Sequence, residues 1–161
     1  MNAQALTAAD VMSRVLVAVK PTESPLMAWE LMRRAGVHHL PVVEGRQVLG
    51  ILTREQLAAS WSGGPQEQSN RQVSELIESE PGPSAAPDAS LALIAAIMLD
   101  TGRDAVPVVS DGGLVGMVTA RDVLSAVAGR TEPAHGPGEV VTGMFHLEPV
   151  LPSDNKIGET P

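Results

Sequence analysis

The sequence predicts an α/β fold in which two copies of one small unit face each other across a pseudo-twofold axis. The first reason is an internal repeat. Two segments recur 66 residues later: HLPVV at 39–43 as AVPVV at 105–109, and GILT at 50–53 as GMVT at 116–119. The second reason is that apolar residues in each copy alternate between the period of strands and the period of helices. The third is size, since one copy alone is too small to cover both faces of its sheet.

The first copy, residues 1–64, is predicted to run helix, strand, helix, strand, strand, helix. Ser24 followed by Pro25 is a helix cap with proline at the first helical position, and Gly36 suits the left-handed residue that ends the helix. Thr53 is suited to cap the last helix. The predicted elements are a helix at 7–12, a strand at 15–19, a helix at 24–35, hairpin strands at 40–43 and 48–52, and a helix ending at 59.

The second copy, residues 73–130, is predicted to repeat this order after a polar linker at 65–72. Its first strand, near 81–86, is expected to be weak because proline and glycine replace the apolar residues of the first copy. A C-terminal extension, residues 131–161, is expected to add a strand near 140–147 and then to fray. The other predicted elements are helices near 73–78, 91–100 and 120–128, and hairpin strands at 106–109 and 114–118.

The composition excludes several classes of function. A formal charge of −8 over 161 residues argues against a surface that binds nucleic acid, because such surfaces are usually basic. The lack of cysteine excludes a disulfide framework, a thiolate zinc site and a cysteine nucleophile. The first residues do not have the basic and apolar pattern of a leader, and no apolar run reaches membrane-spanning length. We therefore expect a cytoplasmic protein without membrane contact.

The segment Gly116-Met-Val-Thr-Ala-Arg-Asp122 has the chemistry of a nucleotide site. A strand that ends on glycine and passes through threonine into a helix leaves backbone N–H groups free at the helix N-terminus, where an anion can bind. Thr119 adds a hydroxyl suited to a phosphate, and Asp122 adds a carboxylate suited to the hydroxyls of a ribose. A threonine followed three residues later by an acid is also the pattern of a capping box, so the segment alone leaves both interpretations open.

Residues 8–129 resemble a tandem pair of cystathionine-β-synthase-type (CBS) domains, also called a Bateman module. The resemblance rests on Pro-Val-Val followed, at the same distance in each copy, by Gly and Thr of the pattern G-h-x-T-x-x-D, in which h is apolar. It implies a two-lobed regulatory module, not an enzyme, that often forms a disc-shaped homodimer. It also implies an adenosyl ligand (AMP, ADP, ATP or S-adenosylmethionine) in a cleft between the repeats, and no catalytic cofactor.

The resemblance implies roles for the matching residues. Asp122 would accept hydrogen bonds from the ribose hydroxyls, and Thr119 would lie beside the phosphates. His39 and Arg121 would face the phosphates as well. The remaining residues of this site come from the first copy and would surround the base: Ser13, Leu16, Val17, Ala18, Val37 and His38.

The symmetry-related site is expected to be weak or empty. Gln56 stands where the acid should be, and a neutral amide bonds a hydroxyl less strongly than a carboxylate does. Asp104 is the counterpart of His38, so its negative charge would oppose a phosphate. Thr53 with Gln56 also forms the capping-box pattern T-x-x-Q. The residues assigned to this second site are Thr53, Gln56, Ser79 and Asp104.

Two functions remain open from the sequence. One is a sensor that binds an adenine nucleotide and signals to an unidentified downstream protein, and the other is a ligand-blind scaffold for dimerisation or protein contact. No catalytic residue is assigned, because the chain has neither a nucleophile elbow nor a glycine-rich phosphate loop. No metal site is expected, because His38 and His39 are adjacent and point to opposite faces of an extended segment. Trp29 is interpreted equally as a core residue or as a subunit contact.

Overall fold

Each repeat contains one β-hairpin flanked by helices, in a computed structural model that describes residues 3–131, 139–142 and 146–149. Two 3-10 turns lie at Ala3–Ala5 and Val73–Glu75. The helices are α1 Ala8–Val11, α2 Pro25–Ala35, α3 Arg54–Ser60, α4 Pro65–Asn70, α5 Leu91–Thr101 and α6 Ala120–Val127. The strands are β1 Val15–Ala18, β2 His39–Glu44, β3 Gln47–Thr53, β4 Ala105–Ser110, β5 Gly113–Thr119, β6 Glu139–Thr142 and β7 His146–Pro149.

The two hairpins have the same register, residue for residue. In the β2–β3 hairpin, Val42 lies opposite Gly50 and a bulge follows directly after Val42. In the β4–β5 hairpin, Val108 lies opposite Gly116 and a bulge follows directly after Val108. Both pairs differ by 66 residues, so the repeat in the sequence is a repeat of backbone structure. The predicted α/β fold of two related units is confirmed.

The long helix of each repeat begins and ends as its sequence predicts. Before α2, the hydroxyl of Ser24 accepts the N–H of the residue three positions on, and after α2 Gly36 takes a left-handed φ of 65°. Before α5, Ser90 accepts the equivalent N–H, and Gly102 takes a φ of 66°. Because glycine adopts this conformation without steric cost, it ends both helices at the same place.

Each repeat completes the core of the other with the short segment at its own start. This segment is α1 in the first repeat and the turn that begins at Val73 in the second. Ala8 of α1 donates its N–H to the Ala89 carbonyl at 2.8 Å, and the apolar side chains of α1 pack in a core built mainly from the second repeat. Val73 donates its N–H to the Glu23 carbonyl at 2.8 Å and is fully buried in the core of the first repeat. Neither repeat therefore has a complete core without the other.

The residue pair Ser13 and Met117 also joins the two repeats, since it holds the start of β1 beside β5 next to Gly116. Ser13 and Met117 exchange two backbone hydrogen bonds, with N···O distances of 2.9 and 3.1 Å. A Cβ at position 116 would overlap the Met12 side chain and would lie 3.1 Å from the Ser13 carbonyl oxygen. Glycine at this position therefore allows the two chains to approach closely.

Two segments of the second repeat differ from the sequence pattern of the first. Residues 81–84 form no strand, as their weak pattern suggested, and only Ala85 bridges to β4, because Pro81 and Pro83 lack the N–H groups that a strand needs. The helix predicted at 73–78 is wrong. The segment forms only a 3-10 turn, and Leu76 and Ile77 then pack against the core of the first repeat.

The connecting segments hold more structure than their polar composition indicated. The predicted linker contains α4, whose Gln68 is fully buried and donates a hydrogen bond to the Ser62 carbonyl. Strand β6 pairs in parallel with β1, and β7 pairs antiparallel with β6, so two strands lie where one was expected. Residues 132–138, 143–145 and 150–161, which include the predicted frayed tail, lie outside the described residues. In the part that is described, no helix has both the length and the apolar composition to cross a membrane.

We expect Gly116→Ala to lower the free energy of unfolding by about 1–3 kcal/mol, the usual range for overpacking a buried site. The new Cβ would press on Met12, which is only 6 % exposed, and on the Ser13 carbonyl. Gly50→Ala is the matched control at the counterpart position, since its Cβ would meet Ile77 at an ordinary 3.5 Å. Urea unfolding measures both, and an equal loss in the two variants would contradict the close approach at Gly116.

Candidate functional site

A cleft of about 710 Å³ opens between the repeats beside Thr119 and Asp122. All residues predicted for the first site line it except Ala18, which is fully buried in the core. Sequence reasoning missed Ala35, Gly36, Met117 and Ala120, and it assigned Asp104 to the second site alone. The lining residues are Ser13, Leu16, Val17, Ala35, Gly36, Val37, His38, His39, Asp104, Met117, Thr119, Ala120, Arg121 and Asp122.

One wall of the cleft is apolar and belongs to the first repeat. Leu16 and Val17 lie on β1, shortly after Ser13. The backbone hydrogen bonds between Ser13 and Met117 hold this part of the first repeat against the second repeat. Val37 comes into the same wall because the left-handed Gly36 turns the chain at the end of α2. A flat apolar group, such as an aromatic base, could bury its surface against these side chains.

The opposite wall is the start of α6 and combines a helix cap with an available carboxylate oxygen. Oδ2 of Asp122 accepts the N–H of Thr119 at 2.8 Å and its hydroxyl at 3.0 Å. The other oxygen, Oδ1, accepts no hydrogen bond from the residues that the structure describes. The two interpretations left open by the sequence are therefore compatible, because Asp122 caps the helix through one oxygen and also lines the cleft.

The cap does not distinguish the two repeats. Gln56 accepts the N–H of Thr53 at 3.0 Å, and Thr53 accepts the N–H of Gln56 at 3.1 Å, so α3 begins with the same capping box as α6. The repeats differ at this position in charge and in length, since Gln56 is neutral and one methylene longer than Asp122, which carries a carboxylate.

A contact between His39 and Asp104 forms a wall shared by both clefts. Nε2 of His39 lies 2.7 Å from Oδ1 of Asp104, and the pair is ionic when the imidazole is protonated. The His39 side chain is 12 % exposed and that of Asp104 is 64 % exposed. The sequence placed His39 and Asp104 in different sites. It gave no signal for the contact, because the two residues belong to different repeats.

The cleft also holds positive or protonatable groups on a chain of negative net charge. Arg121 and His38 are both exposed, and both line the cleft near Thr119. Asp104 and Asp122 line the same cleft, so the positive charge of Arg121 suits an anion only in its own part of the cleft.

The second cleft, of about 460 Å³, differs from the first in its lining. Thr53, Gln56 and Asp104 line it as predicted, but Ser79 is exposed and does not, and Glu78 lies there instead. The role of Ser79 stays a prediction, and its counterpart Ser13 differs in that it pairs with β5 through Met117. Glu55 occupies the position that Arg121 has in the first cleft.

Within the described residues, no group of three or more His, Cys, Asp or Glu side chains is arranged to hold a metal ion. His38 is exposed, whereas His39 is half-buried and faces Asp104. The side chains of the two adjacent histidines therefore lie in different environments.

The hairpin repeat and the inter-repeat cleft agree with a comparison against known families. The family model for the CBS domain matches residues 8–62 and 73–129. The chain belongs to the CBS domain family. It is 32 % identical over 114 residues to inosine-5'-monophosphate dehydrogenase from Korarchaeum cryptofilum, and the match covers 68 % of this chain. It covers only 22 % of the dehydrogenase, so the chain spans about a fifth of that enzyme's length.

Solved CBS structures share the fold over most of their length. CBSX2, solved in complex with AMP, is 26 % identical with a TM-score of 0.66, over 76 % of this chain and 96 % of that one. The CBS domain pair of protein MJ0100, solved with 5-methylthioadenosine and S-adenosyl-L-methionine, is 23 % identical with a TM-score of 0.67, over 78 % of this chain and 98 % of that one. The predicted CBS fold is thus confirmed.

Proposed function

We propose that this chain is a regulatory module that binds an adenosyl nucleotide in the cleft beside Asp122. The observation that carries the proposal is the chemistry of one cleft: an apolar wall, the carboxylate of Asp122 and an exposed arginine, Arg121. Its volume of about 710 Å³ lies within the range of roughly 300–1,000 Å³ that is usual for small-molecule pockets. The AMP complex of CBSX2, a structure with the same fold, supports the choice of ligand class.

The proposed ligand lies across the cleft with each part beside a matching group. The adenine packs on Leu16, Val17 and Val37, which are the apolar groups of the first repeat. The ribose hydroxyls donate to Oδ1 of Asp122 in charge-assisted hydrogen bonds. The phosphates lie toward Arg121, and AMP, ADP, ATP and S-adenosylmethionine remain the candidates to be compared.

The proposed role is binding and signalling rather than catalysis. The ligand would touch both repeats at once, so its binding free energy depends on how they pack. A ligand shifts a conformational equilibrium only by the difference in its affinity for the two arrangements. The signal would pass to a downstream protein through that change of packing. If the cleft binds none of these compounds, the alternative function is a scaffold for dimerisation or protein contact that binds no ligand.

A thermal-shift measurement tests the proposal directly. A ligand at about 100 times its dissociation constant adds roughly 2.7 kcal/mol to the stability of the native state. For a chain of this size that corresponds to a rise in Tm of about 5–10 °C. We expect at least one of AMP, ADP, ATP and S-adenosylmethionine to produce it. No rise with any of the four would leave the scaffold as the function.

Asp122→Asn is expected to weaken nucleotide binding about tenfold, because an amide keeps the helix cap but lacks the charge that strengthens bonds to the ribose. Isothermal titration calorimetry gives the dissociation constant. Gln56→Ala is the control at the counterpart position and should change it less than about twofold. Equal losses in the two variants would show that the ligand does not depend on the cleft beside Asp122.

We also propose that the module is a homodimer joined through α5 and α6. Four large apolar side chains on these helices are exposed: Leu93 by 52 %, Leu99 by 84 %, Leu124 by 68 % and Val127 by 69 %. Exposed apolar side chains on two helices that contact each other suit a self-complementary contact with a second copy of the chain across a twofold axis.

Part of the counterpart face of the first repeat is covered within the chain. Trp61, the counterpart of Val127, packs on Trp29 with ring centroids 6.0 Å apart, and Arg54 lies 5.6 Å from the Trp29 ring centre. Helix α4 also contacts α2. Trp29 therefore packs inside the chain, and the face formed by α5 and α6 is the one proposed to meet a second copy.

Size-exclusion chromatography with light scattering is expected to give twice the 16.8 kDa mass of the chain. Leu124→Lys should return the protein to monomers, because a lysine ammonium would lose its hydration at the centre of the contact. Ala58→Lys, at the counterpart position on α3, should leave the dimer intact. A monomeric wild type, or a dimer that survives Leu124→Lys and dissociates with Ala58→Lys, would overturn the assignment.

A further inference from the structure

Where the residues beside Thr119 and Asp122 border one cleft, the counterpart positions line two adjoining cavities. One is the second cleft of about 460 Å³ beside Thr53 and Gln56, and the other, of about 200 Å³, lies against residues 81–84. Residues 81–84 correspond to β1, which forms the apolar wall of the first cleft. In the second repeat the base half of the cleft is therefore cut off from the half beside the helix cap.

Arg103 is the residue that makes the division. Three residues line both cavities, namely Ile51, Arg103 and Ala105. Ile51 and Ala105 are buried in the hairpins, and the counterpart of Ile51, Met117, lines the first cleft without dividing it. The counterpart of Arg103 is the much shorter Val37.

The Arg103 side chain is held in place from two sides. Its Nη2 donates to Oε2 of Glu78 at 2.8 Å. On the other side the guanidinium packs so closely on Gly82 that a Cβ there would lie 3.0 Å from the guanidinium carbon. Glu78 corresponds to Met12, and Gly82 corresponds to Leu16, so the substitutions that hold the arginine are absent from the first repeat.

We propose that Arg103, held by Glu78 and Gly82, is an internal plug that keeps the second cleft closed to an adenosine group. The proposal rests on the assignment of the first cleft as an adenosyl site. The second cleft is also less suited to phosphates, since Glu55 stands where the first cleft has Arg121 and Glu78 lines it as well. Removing the plug therefore opens a site for uncharged adenosine rather than for a nucleotide.

Equilibrium dialysis with radiolabelled adenosine tests the plug by stoichiometry. We expect one adenosine per chain for the wild type and two for Arg103→Val, which copies the residue of the first cleft. Arg103→Ala is the second variant and should give the same gain. Arg71→Val is the matched control, because Arg71 is also 31 % exposed and also pairs with a glutamate, but lies outside both cavities. It should bind one adenosine.

The readout separates the two proposals. A wild type that binds no adenosine or nucleotide contradicts the assignment of the first cleft, whereas the plug is judged by the increment from the wild type to Arg103→Val. An unchanged stoichiometry in both Arg103 variants, with circular dichroism spectra like that of the wild type, overturns the plug. A gain in Arg71→Val equal to that in Arg103→Val overturns it as well.

Discussion

The backbone pair between Ser13 and Met117 is the contact on which the cleft depends. It places β1 of the first repeat beside β5 of the second, and it exists because Gly116 has no side chain to hold the two chains apart. The same exchange buries α1 in the core of the second repeat and Val73 in the core of the first. The site is therefore a property of the pair of repeats. A single repeat would lack half of the cleft and part of its own core.

Matching hairpins, surrounded by unequal side chains and by a first strand that only one repeat has, explain how the two clefts differ. The hairpin registers agree at every paired position, and both final helices begin with a capping box. The cap thus maintains the fold in both repeats and carries no functional distinction. The two clefts differ in their lining residues, above all Val37 against Arg103 and Asp122 against Gln56, and in the lack of a strand at residues 81–84. These changes cost little in stability because the side chains involved are partly exposed.

Much of the fold and most of the cleft could be predicted because the signals are local or repeated. Ser24 and Gly36 set the ends of α2 within a few residues, the 66-residue offset located the second hairpin, and the family resemblance implied the opposing wall of the cleft. The prediction failed where a side chain meets a partner far along the chain. The His39–Asp104 contact and the Arg103–Glu78 pair cross 65 and 25 residues, and neither leaves a local pattern. Helix α4 was missed because its polar residues resemble a linker, although Gln68 is buried.

One adenosyl site per chain would limit how strongly such a module could switch between two states. Moving a two-state equilibrium from about 1:99 to 99:1 requires the ligand to prefer one state about 10⁴-fold. A monomer with its second cleft plugged would need that whole preference at the cleft beside Asp122. A dimer that changes state as a unit has two such clefts, so a preference of about 100-fold at each suffices. Dimerisation through α5 and α6 would thus restore the second ligand that Arg103 excludes, and the two proposals support a single mechanism of regulation.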